Sequence, residues 1–384
     1  MRIGLNLLYL LPDIVGGTET YAAGLLHGLA QIDKQNEYFV FVNREAAEWP
    51  LPEAPNFQRV VCAVQALNRP RRYLFEQLKL PFLARSFKLQ LLHSLGYVTP
   101  VFLPCKAVVS IHDIIYDYPG SFARRKLLKL FARMSARRAD SILTMSKNSK
   151  GQLGARLHVS PQKITVTYEA PKIRKVSPAV SWAGIKKRFN LDDMYLLALS
   201  SFSPSKNIPR LLQALSILKK ELPENMKLVL VGHVPFKGTH LLKLVESLEL
   251  GRQVIFTGYL PDEELVLLLQ HATVFVFPSL YEGFGIPVLE AMAAGVPVAC
   301  SNAASLPEVA GEAALLFDPL AVDEIAMTIR RLINEPNLRA ELVRIGYQNV
   351  ARFSWKTTAE KTLQVYETLI HSKKYAGITK RGNS

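Results

Sequence analysis

The sequence predicts an α/β protein with two doubly wound parallel sheets, one in each half of the chain. Short, continuously apolar runs recur along it, for example at residues 195–200 and 274–277. Such runs are typical of strands that are buried on both faces. Helical stretches separate them, and this alternation favours parallel sheets covered by helices. Since the chain has 384 residues, which is long for a single core, we expect two domains.

The predicted elements follow this alternation along the chain. In the first half, strands are expected at 3–10, 38–42, 59–64, 106–111, 140–146 and 163–168, and helices at 18–31, 71–88 and 121–138. In the second half, strands are expected at 195–200, 227–231, 254–256, 274–277 and 296–300, and helices at 287–294 and 355–370. Prolines and basic residues at 171–178 indicate a linker between the halves. The polar tail, 373–384, is expected to be disordered.

The most informative stretch reads Glu282-Gly-Phe-Gly-Ile-Pro-Val-Leu-Glu290. It follows the apolar run 274–277 and enters the predicted helix 287–294, so the order is strand, glycine loop, helix. Gly283 and Gly285 leave the backbone of the loop uncovered, and a helix N-terminus carries about half a positive charge. The stretch therefore predicts a phosphate site at the carboxyl end of a parallel strand, where such sheets bind ligands.

Two carboxylates flank this loop. Glu290 lies among apolar residues of the predicted helix, so its carboxylate should be buried, and a buried carboxylate needs hydrogen-bond donors. Sugar hydroxyls supply such donors. The alternative is a structural loop with two incidental acids. A capping box is disfavoured because Pro287, rather than serine or threonine, stands at the start of the helix.

Composition narrows the class of protein. Apolar residues make up 49% of the chain, so both domains can bury a core. Cys62, Cys105 and Cys300 are too few and too widely spaced for a disulfide framework or a zinc site, which favours a reducing compartment. No apolar run reaches the ~18 residues of a membrane span. The N-terminus also lacks the pattern of a cleavable signal peptide, so we expect a cytoplasmic protein.

The net charge of +15 is unevenly distributed. Residues 1–190 hold 28 Lys and Arg against 12 Asp and Glu, whereas residues 191–384 hold 19 against 20. This asymmetry predicts an anionic partner for the first domain only. The most basic segment is 121–138, which has seven Lys or Arg in eighteen residues.

A helix over this segment would group its charges on one face, formed by Lys126, Lys129, Arg133 and Arg137. An apolar stripe adjoins that face and consists of Leu127, Leu130, Phe131 and Met134. One interpretation is a helix that packs on the core and has a solvated basic face. The other is a helix that lies on an anionic membrane surface, where each basic residue contributes ~1 kcal/mol.

Two further candidate sites follow predicted strands of the first half. Gly16 and Gly17 lie between the first strand and its helix, where a glycine turn allows a phosphate to approach. They do not form the dinucleotide-binding pattern G-x-G-x-x-G, and a plain tight turn is an equally good interpretation. His112 and Asp113 follow the strand 106–111. A lone histidine at such a place is as often a satisfied turn residue as a functional one.

The stretch 282–290 resembles the Glu-x7-Glu signature of the family 4 retaining glycosyltransferases. The similarity includes Ser305-Leu-Pro-Glu-Val309, Ala313-Ala-Leu-Leu-Phe-Asp-Pro319, Gly16-Gly17, His112-Asp113, Lys206-Asn207 and Phe353-Ser-Trp355. It is specific in the second half of the chain and looser in the first. It implies the GT-B fold, in which two Rossmann-like domains face each other across a cleft. The expected domains are 1–175 on the acceptor side and 190–355 on the nucleotide-sugar side, with a helix at 356–372 packing back toward the first domain.

The resemblance also implies roles for individual residues. The implied catalytic residues are His112, Lys206 and Glu282. The implied substrate-binding residues are Gly17, Asp113, Arg210, Gly283, Phe284, Gly285, Ile286 and Glu290. In the family, the matching glycine lies against the donor diphosphate and the matching histidine lies near the donor sugar. No metal is implied, so Lys206, helix N-termini and loop N–H groups would stabilise the leaving-group charge.

The sequence departs from the family pattern beside Lys206. Family members usually have arginine directly before that lysine, where this chain has Ser205. One cation of the expected pair is therefore missing, and Arg210, one helical turn further on, is a candidate replacement. The turn Tyr168-Glu-Ala-Pro171 also replaces the usual Asn-Gly-x-Asp type of turn. Both departures bear on the strength of donor binding.

The implied function is transfer of a hexose from a nucleotide diphosphate sugar to a glycan or a polyprenyl-diphosphate-linked acceptor. Transfer would retain the anomeric configuration, need no cofactor or metal, and serve cell-surface polysaccharide synthesis. The variants His112-Asp-Ile-Ile-Tyr116 and Lys206-Asn207 look most like bacterial polysaccharide mannosyltransferases, which favours GDP-mannose as donor. The basic segment 121–138 favours a cytoplasmic enzyme that is peripheral at the inner face of an anionic membrane.

Three other functions stay open at this point. A sugar-nucleotide epimerase of GT-B shape would act on the donor without an acceptor. A nucleotide-sugar-binding protein with weak catalysis is compatible with Ser205. A nucleic-acid binder is suggested by the basic charge alone, and we do not expect one because the basic segments lack interleaved aromatic residues and any recognised motif.

Overall fold

The computed structural model of this chain describes residues 1–113, 122–172, 180–200, 203–223, 225–232 and 239–375. The chain divides into two compact units, of which the first comprises Met1–Ala170 and Ser354–Ser384 and the second Pro171–Phe353. The linker was expected at 171–178, and its residues 173–178 lie outside the described residues. Within the part of the chain that is described, no helix is both long enough and apolar enough to cross a bilayer.

The first unit is built on a seven-stranded sheet. Its elements are β1 (Arg2–Leu7), α1 (Gly17–Ile32), β2 (Glu37–Val42), β3 (Phe57–Val61), α2 (Arg69–Leu78), α3 (Leu80–Ser86), β4 (Leu91–Ser94), β5 (Lys106–Ser110), α4 (Phe122–Arg138), β6 (Ser141–Thr144), α5 (Lys147–Leu157), β7 (Ile164–Val166) and α14 (Trp355–Tyr375). The strand order is β3-β2-β1-β4-β5-β6-β7, with parallel pairing throughout the described ladders. The order reverses between β1 and β4, which makes this the topological switch point.

The second unit repeats this plan with a six-stranded sheet. Its elements are α6 (Trp182–Arg188), β8 (Tyr195–Ser200), α7 (Ile208–Leu218), β9 (Lys227–Gly232), α8 (His240–Ser247), β10 (Val254–Gly258), α9 (Asp262–His271), β11 (Val274–Phe277), α10 (Ile286–Ala293), β12 (Val298–Ser301), α11 (Leu306–Ala310), β13 (Ala314–Phe317), α12 (Val322–Asn334) and α13 (Pro336–Val350). The order β10-β9-β8-β11-β12-β13 places the switch point between β8 and β11. The prediction of two doubly wound parallel sheets is therefore confirmed.

Some predicted elements were wrong in detail. Strands β4 and β13, each four residues long, were not predicted, and the first contains the polar pair His93 and Ser94, which interrupts its apolar run. The helix predicted over 71–88 is two helices, since Pro81 lacks the N–H that would continue the first one, and α3 begins afresh at Leu80. The last helix runs on to Tyr375, into the segment expected to be disordered, and residues 376–384 lie outside the described part of the chain.

The sheet of the first unit is covered on both faces. Along β4, successive side chains point to opposite faces. Leu92 belongs to a buried cluster with Leu80 and Ala84 of α3, whereas the Nδ1 atom of His93 lies 2.6 Å from the Tyr366 hydroxyl of α14. Helix α14, although it follows the whole second unit in sequence, is thus part of the first unit's core.

His93 is the centre of a buried polar chain that the sequence did not reveal. Its Nε2 atom lies 2.8 Å from the Ser110 hydroxyl, which in turn lies 2.8 Å from the Tyr21 hydroxyl of α1. Burial lowers the pKa of His93 to about 3, with a smaller contribution from nearby His112, so the ring stays neutral. A neutral imidazole has one donor and one acceptor nitrogen, and these hydroxyls match them.

Helix α14 packs against α1 at two glycines. A Cβ atom at Gly24 would overlap the Trp355 ring, and one at Gly28 would overlap the Trp355 carbonyl oxygen and meet the Cβ atom of Ala359 at 3.0 Å. Because the second obstacle is backbone, it cannot be relieved by a rotamer change. The close approach of the two helices therefore requires glycine.

We predict that Gly28→Ala destabilises the protein by about 2 kcal/mol, since the overlap displaces α14 and outweighs the ~1 kcal/mol that alanine gains within a helix. The control is Gly151→Ala in α5, where a Cβ atom would meet nothing within 4 Å, and there the same change should stabilise by about 0.5–1 kcal/mol. Denaturant unfolding measures both. Equal effects of the two substitutions would contradict the proposed packing constraint.

Candidate functional site

Two of the predicted site residues meet at the switch point of the second sheet. Lys206 follows β8 and Glu282 follows β11, and the Lys206 Nζ atom lies 2.6 Å from the Glu282 Oε1 atom. Both side chains are partly accessible, with 21% and 17% of their surface exposed. The Lys206 Nζ atom also lies 4.9 Å from the centre of the Phe277 ring, which forms one apolar wall beside the pair. An ammonium group and a carboxylate thus meet where a doubly wound sheet binds ligands.

Asn207 holds the lysine loop against its neighbours. Its backbone is left-handed, with φ of 55°, a conformation that asparagine tolerates better than most residues. Its side-chain amide donates hydrogen bonds to the carbonyl oxygens of Pro278 (3.1 Å) and Pro319 (2.7 Å). The Leu280 N–H also donates to the Ser205 carbonyl at 2.7 Å. Lys206 is therefore positioned by contacts to the loop that carries Glu282.

The glycine loop is shaped by one glycine and one serine. Gly285 has φ of 115°, and a Cβ atom there would lie 2.7 Å from a Leu306 methyl group, so only glycine fits. The Ser305 hydroxyl lies 2.9 Å from the Glu282 carbonyl oxygen and 2.7 Å from that of Phe284, and it shares one proton between them. The loop then enters α10, whose N-terminus has no side-chain cap, in agreement with the rejection of a capping box.

The remaining predicted residues of this stretch differ in exposure. Glu290 is 9% exposed within α10, so its expected burial is confirmed. Phe284 is 3% exposed and packs at right angles against Phe353, with ring centres 5.6 Å apart, and Ile286 is 8% exposed. These two side chains belong to the core. Any contribution that Phe284 and Ile286 make to ligand binding must come from their backbone atoms.

Two residues bear on the missing arginine. Ser205 occupies the position of the missing arginine, and its hydroxyl lies 2.8 Å from the Ser203 hydroxyl. Arg210 lies in α7 and donates from Nη1 to the Asn207 side-chain oxygen at 3.0 Å. Its guanidinium is therefore held beside the lysine loop, and its role as the second cation stays a prediction.

In the first unit, Gly17 is the first residue of α1, and the loop of residues 8–16 connects it to the carboxyl end of β1. Gly16 has φ of 58°, and a Cβ atom at either glycine would meet nothing within 4 Å. At Gly17, glycine thus leaves the first turn of the helix open rather than relieving a clash. This arrangement fits the prediction of a phosphate-accessible turn, which stays a prediction.

His112 and Asp113 follow β5 and are already engaged within the first unit. The His112 Nε2 atom lies 3.1 Å from the Leu95 carbonyl oxygen, which can only accept, and Nδ1 lies 3.4 Å from Glu169. The Tyr21 ring meets the His112 ring edge-on at 4.6 Å. Asp113 accepts a hydrogen bond from the Tyr97 hydroxyl at 2.9 Å. A sugar contact at His112 would have to replace one of these partners. Residues 114–116, quoted with this motif, lie outside the described residues.

Helix α2 contains a buried charge pair that was not predicted from the sequence. Arg72 and Glu76 are 8% and 2% exposed, and the Arg72 Nε atom lies 3.9 Å from the Glu76 Oε1 atom. Burial raises the pKa of Glu76 to about 7, against the opposing effects of Arg72 and a hydrogen bond from Asn6. The i, i+4 spacing was visible in the sequence, but burial of that helix face was not.

Helix α4 only partly matches the predicted basic face. Lys129 and Arg137 are exposed, whereas Arg133 is half-buried. In the apolar stripe, Leu130 is 53% and Met134 37% exposed, while Phe131 packs on Tyr73 of α2 with ring centres 4.8 Å apart. The side chains of Lys126 and Leu127 lie outside the described set. The exposed surface of α4 thus mixes cations with apolar side chains.

In the described ranges, no group of three or more His, Cys, Asp or Glu side chains is placed to hold a metal ion. The three cysteines are unpaired.

Comparison with solved structures identifies the class of protein. The chain superposes with a TM-score of 0.76 on a sucrose-phosphate synthase from Thermosynechococcus elongatus, at 20% identity and covering 97% of this chain and all of that one. It superposes with a TM-score of 0.73 on Anabaena HepE in complex with UDP and glucose, at 18% identity and covering 96% of this chain and all of that one. At such identities the likeness shows the fold, which is that of the GT-B glycosyltransferases.

Sequence comparison then identifies the family. The profile "Glycosyltransferase Family 4" matches residues 15–170, and the profile "Glycosyl transferases group 1" matches residues 185–349. The chain is 33% identical over 290 residues to the O-antigen chain mannosyltransferase B of Escherichia coli, covering 74% of this chain and 76% of that protein. The chain therefore belongs to the family 4 glycosyltransferases, and the resemblance drawn from the motifs is confirmed.

A second relative is much longer than this chain. The serotype-specific mannosyltransferase WbdA of Escherichia coli is 38% identical over 293 residues, which cover 71% of this chain but 34% of that protein. This chain thus spans about one third of WbdA.

We predict that Asn207→Gly lowers the unfolding free energy by about 2 kcal/mol, because it keeps the left-handed backbone but removes the hydrogen bonds to two buried carbonyl groups. Asn207→Ala should cost about 1 kcal/mol more, since alanine strains that backbone. Denaturant unfolding of both variants separates the two effects. If Gly and Ala destabilise equally, the left-handed conformation contributes nothing.

Proposed function

We propose that this glycosyltransferase moves a hexose, with mannose favoured, from a nucleotide diphosphate sugar to a glycan or polyprenyl-diphosphate-linked acceptor. The observation that carries the proposal is the ion pair of Lys206 and Glu282 beside the glycine loop that opens α10. Two relatives are named as mannosyltransferases, one of them for an O-antigen chain, which supports a role in cell-surface polysaccharide synthesis. HepE, a neighbour in fold, binds UDP and glucose, which supports a nucleotide-sugar donor.

In this proposal the second unit binds the donor, and its site residues have separate roles. Lys206 and the α10 N-terminus stabilise the charge that develops on the departing diphosphate, so no metal is required. Glu282 contacts the transferred sugar, and Glu290 accepts hydrogen bonds from the ribose. Arg210 supports Lys206 from one helical turn away. GDP-mannose is the favoured donor, and the anomeric configuration is retained.

In this proposal the first unit binds the acceptor and also contacts the sugar of the donor. Gly17 opens the backbone of α1 to the diphosphate, and His112 with Asp113 contacts the sugar. Since both ring nitrogens of His112 have protein partners, the sugar would take the place of the weaker one, the 3.4 Å contact to Glu169.

The proposal also includes a location. The excess positive charge lies in residues 1–190, and α4 exposes Lys129 and Arg137 together with Leu130 and Met134. This combination suits a peripheral contact with the anionic inner face of the cytoplasmic membrane.

The donor site is tested by three substitutions. Lys206→Ala should lower kcat by about 10²-fold or more, as removal of one charge-stabilising donor does. Glu282→Ala should lower kcat more than nucleotide affinity, because its contact is strongest in the transition state. Glu290→Gln should weaken nucleotide binding and preserve the fold. Thermal shift with GDP-mannose, UDP-glucose and other nucleotide sugars, and nucleoside diphosphate release with and without acceptor, provide the readouts.

The matched control is Glu312→Gln, an exposed carboxylate of the same unit, which should leave every readout unchanged. Turnover that persists in both Lys206→Ala and Arg210→Ala would refute the assigned electrostatic role. Conversion of the donor sugar without an acceptor would instead identify an epimerase. Donor binding without any turnover would identify a sugar-nucleotide-binding protein.

The location is tested by sedimentation with vesicles of phosphatidylcholine alone and with phosphatidylglycerol added. The protein should sediment with the anionic vesicles at low salt and be released at high salt. Lys129→Gln with Arg137→Gln should weaken this binding about thirtyfold, from ~1 kcal/mol for each charge. A control with Lys187→Gln and Arg252→Gln removes the same charge from exposed sites of the second unit. Equal sedimentation of the two double variants would rule out α4 as the contact.

A further inference from the structure

A groove runs along α2 at the outer corner of the first unit, with a volume of about 410 Å³. One wall is a single face of α2, formed by Arg71, Leu74, Leu78 and their neighbours. The other wall consists of Arg44 and the segment 63–65, which directly follow β2 and β3. The groove therefore lies at the carboxyl edge of the sheet, beside β2 and β3 rather than at the switch point between β1 and β4. We call it the α2 groove.

The α2 groove is lined by three cations. Arg44, Arg71 and Lys79 are all exposed, and none of them forms an ion pair with any described residue. Glu45, which follows Arg44, accepts hydrogen bonds from the backbone N–H groups of Ala66 (3.1 Å) and Leu67 (3.3 Å). Glu76, which lies between Arg71 and Lys79 in sequence, is buried beside Arg72. The cations thus stand around the groove without a protein anion, and an anionic ligand would complement them.

The α2 wall of the groove is apolar between these cations. Leu74 is 60% and Leu78 55% exposed, and the half-buried Phe75 lies beside them. Single exposed leucines are ordinary, but two on one face of a groove of ligand size, within the ~300–1,000 Å³ range, are not. Covering them with an alkyl chain would stabilise the complex by about 25 cal/mol for each Å² removed from water.

The positive charge and the apolar α2 wall together indicate the chemistry of the ligand. A free phosphate or a sugar would leave the leucines in water, and a neutral lipid would leave the cations unpaired. A phosphate group carried on a long alkyl chain satisfies both. We infer that the α2 groove binds the phosphate and adjoining hydrocarbon of a lipid-linked acceptor, an inference that rests on the proposed function and gives it a site.

The test measures binding of farnesyl diphosphate by calorimetry, with inorganic diphosphate as the probe that lacks the chain. GDP is present at saturation, so that the donor site does not take up the probe. The wild type should bind farnesyl diphosphate at least tenfold more tightly than inorganic diphosphate. The triple change Arg44→Gln, Arg71→Gln and Lys79→Gln should weaken farnesyl diphosphate at least tenfold. Leu74→Ser with Leu78→Ser should remove the preference for the farnesyl compound.

The control replaces Lys187, Lys243 and Arg252 by glutamine, which removes three exposed charges from the second unit and should leave binding unchanged. Since every substituted residue is exposed, thermal midpoints should be unaltered. Equal affinities of the wild type and both groove variants would overturn the inference. So would a triple variant that loses binding to phosphatidylglycerol vesicles but keeps farnesyl diphosphate, because the groove would then contact the bilayer itself.

Transfer to a lipid-free mannose oligosaccharide separates this inference from the proposed function. If the groove variants keep that transfer within twofold while they lose farnesyl diphosphate, both proposals are supported. If the wild type transfers no sugar but binds farnesyl diphosphate through the groove, the proposed function fails and the groove stands. If sugar transfer occurs but farnesyl diphosphate does not bind in the groove, the proposed function stands and the groove inference fails.

Discussion

The contact between Lys206 and Glu282 depends on the strand order of the second sheet. Each residue lies in a loop after its own strand, and the two loops meet because β8 and β11 are neighbours on either side of the switch point. The amide of Asn207 and the hydroxyl of Ser305 then fix the two loops through backbone carbonyl groups. An ammonium and a carboxylate held 2.6 Å apart in a partly dry site attract each other more strongly than they would in water.

The first unit has the same strand order around its switch point but a different chemistry. Its described buried polar groups near that point include an uncharged chain through His93, Ser110 and Tyr366 and, separately, the Arg72–Glu76 pair. Burial shifts the pKa of His93 down and that of Glu76 up, in each case toward the uncharged form. A charged pair thus lies at the second switch point, whereas the exposed cations of the first unit include those of α4 and of the α2 groove.

Helix α14 shows how a distant segment completes a domain. It follows residue 353, the end of the second unit, yet it supplies Trp355, Ala359 and Tyr366 to the core of the first. The close packing is possible because α1 offers Gly24 and Gly28. The side chain of Thr358 also bonds to the carbonyl oxygen of Tyr168, close to the end of the first segment of that unit. A hydrogen bond within the first unit therefore joins the segment that precedes the second unit to the segment that follows it.

Much of the fold was predictable because it rests on local patterns. The apolar runs at 195–200 and 274–277 became strands β8 and β11 with the predicted bounds, since a buried parallel strand needs little beyond continuous hydrophobicity. The glycine loop was also predictable, because the positive φ of Gly285 is a requirement on one residue. Burial of Glu290 followed from its apolar neighbours along the helix.

The sequence by itself determined that there are two sheets, most of their strands and the residue types of the candidate donor site. Tertiary structure alone decided which of those residues touch. Lys206 and Glu282 are 76 positions apart, and His93 and Tyr366 are 273 apart, so no local periodicity encodes either contact. The same holds for burial, which left Lys129 exposed and Arg133 half-buried on one predicted face. The physical reason is that a contact or a pKa depends on what packs from other elements, whereas a strand or a turn depends mainly on its own residues.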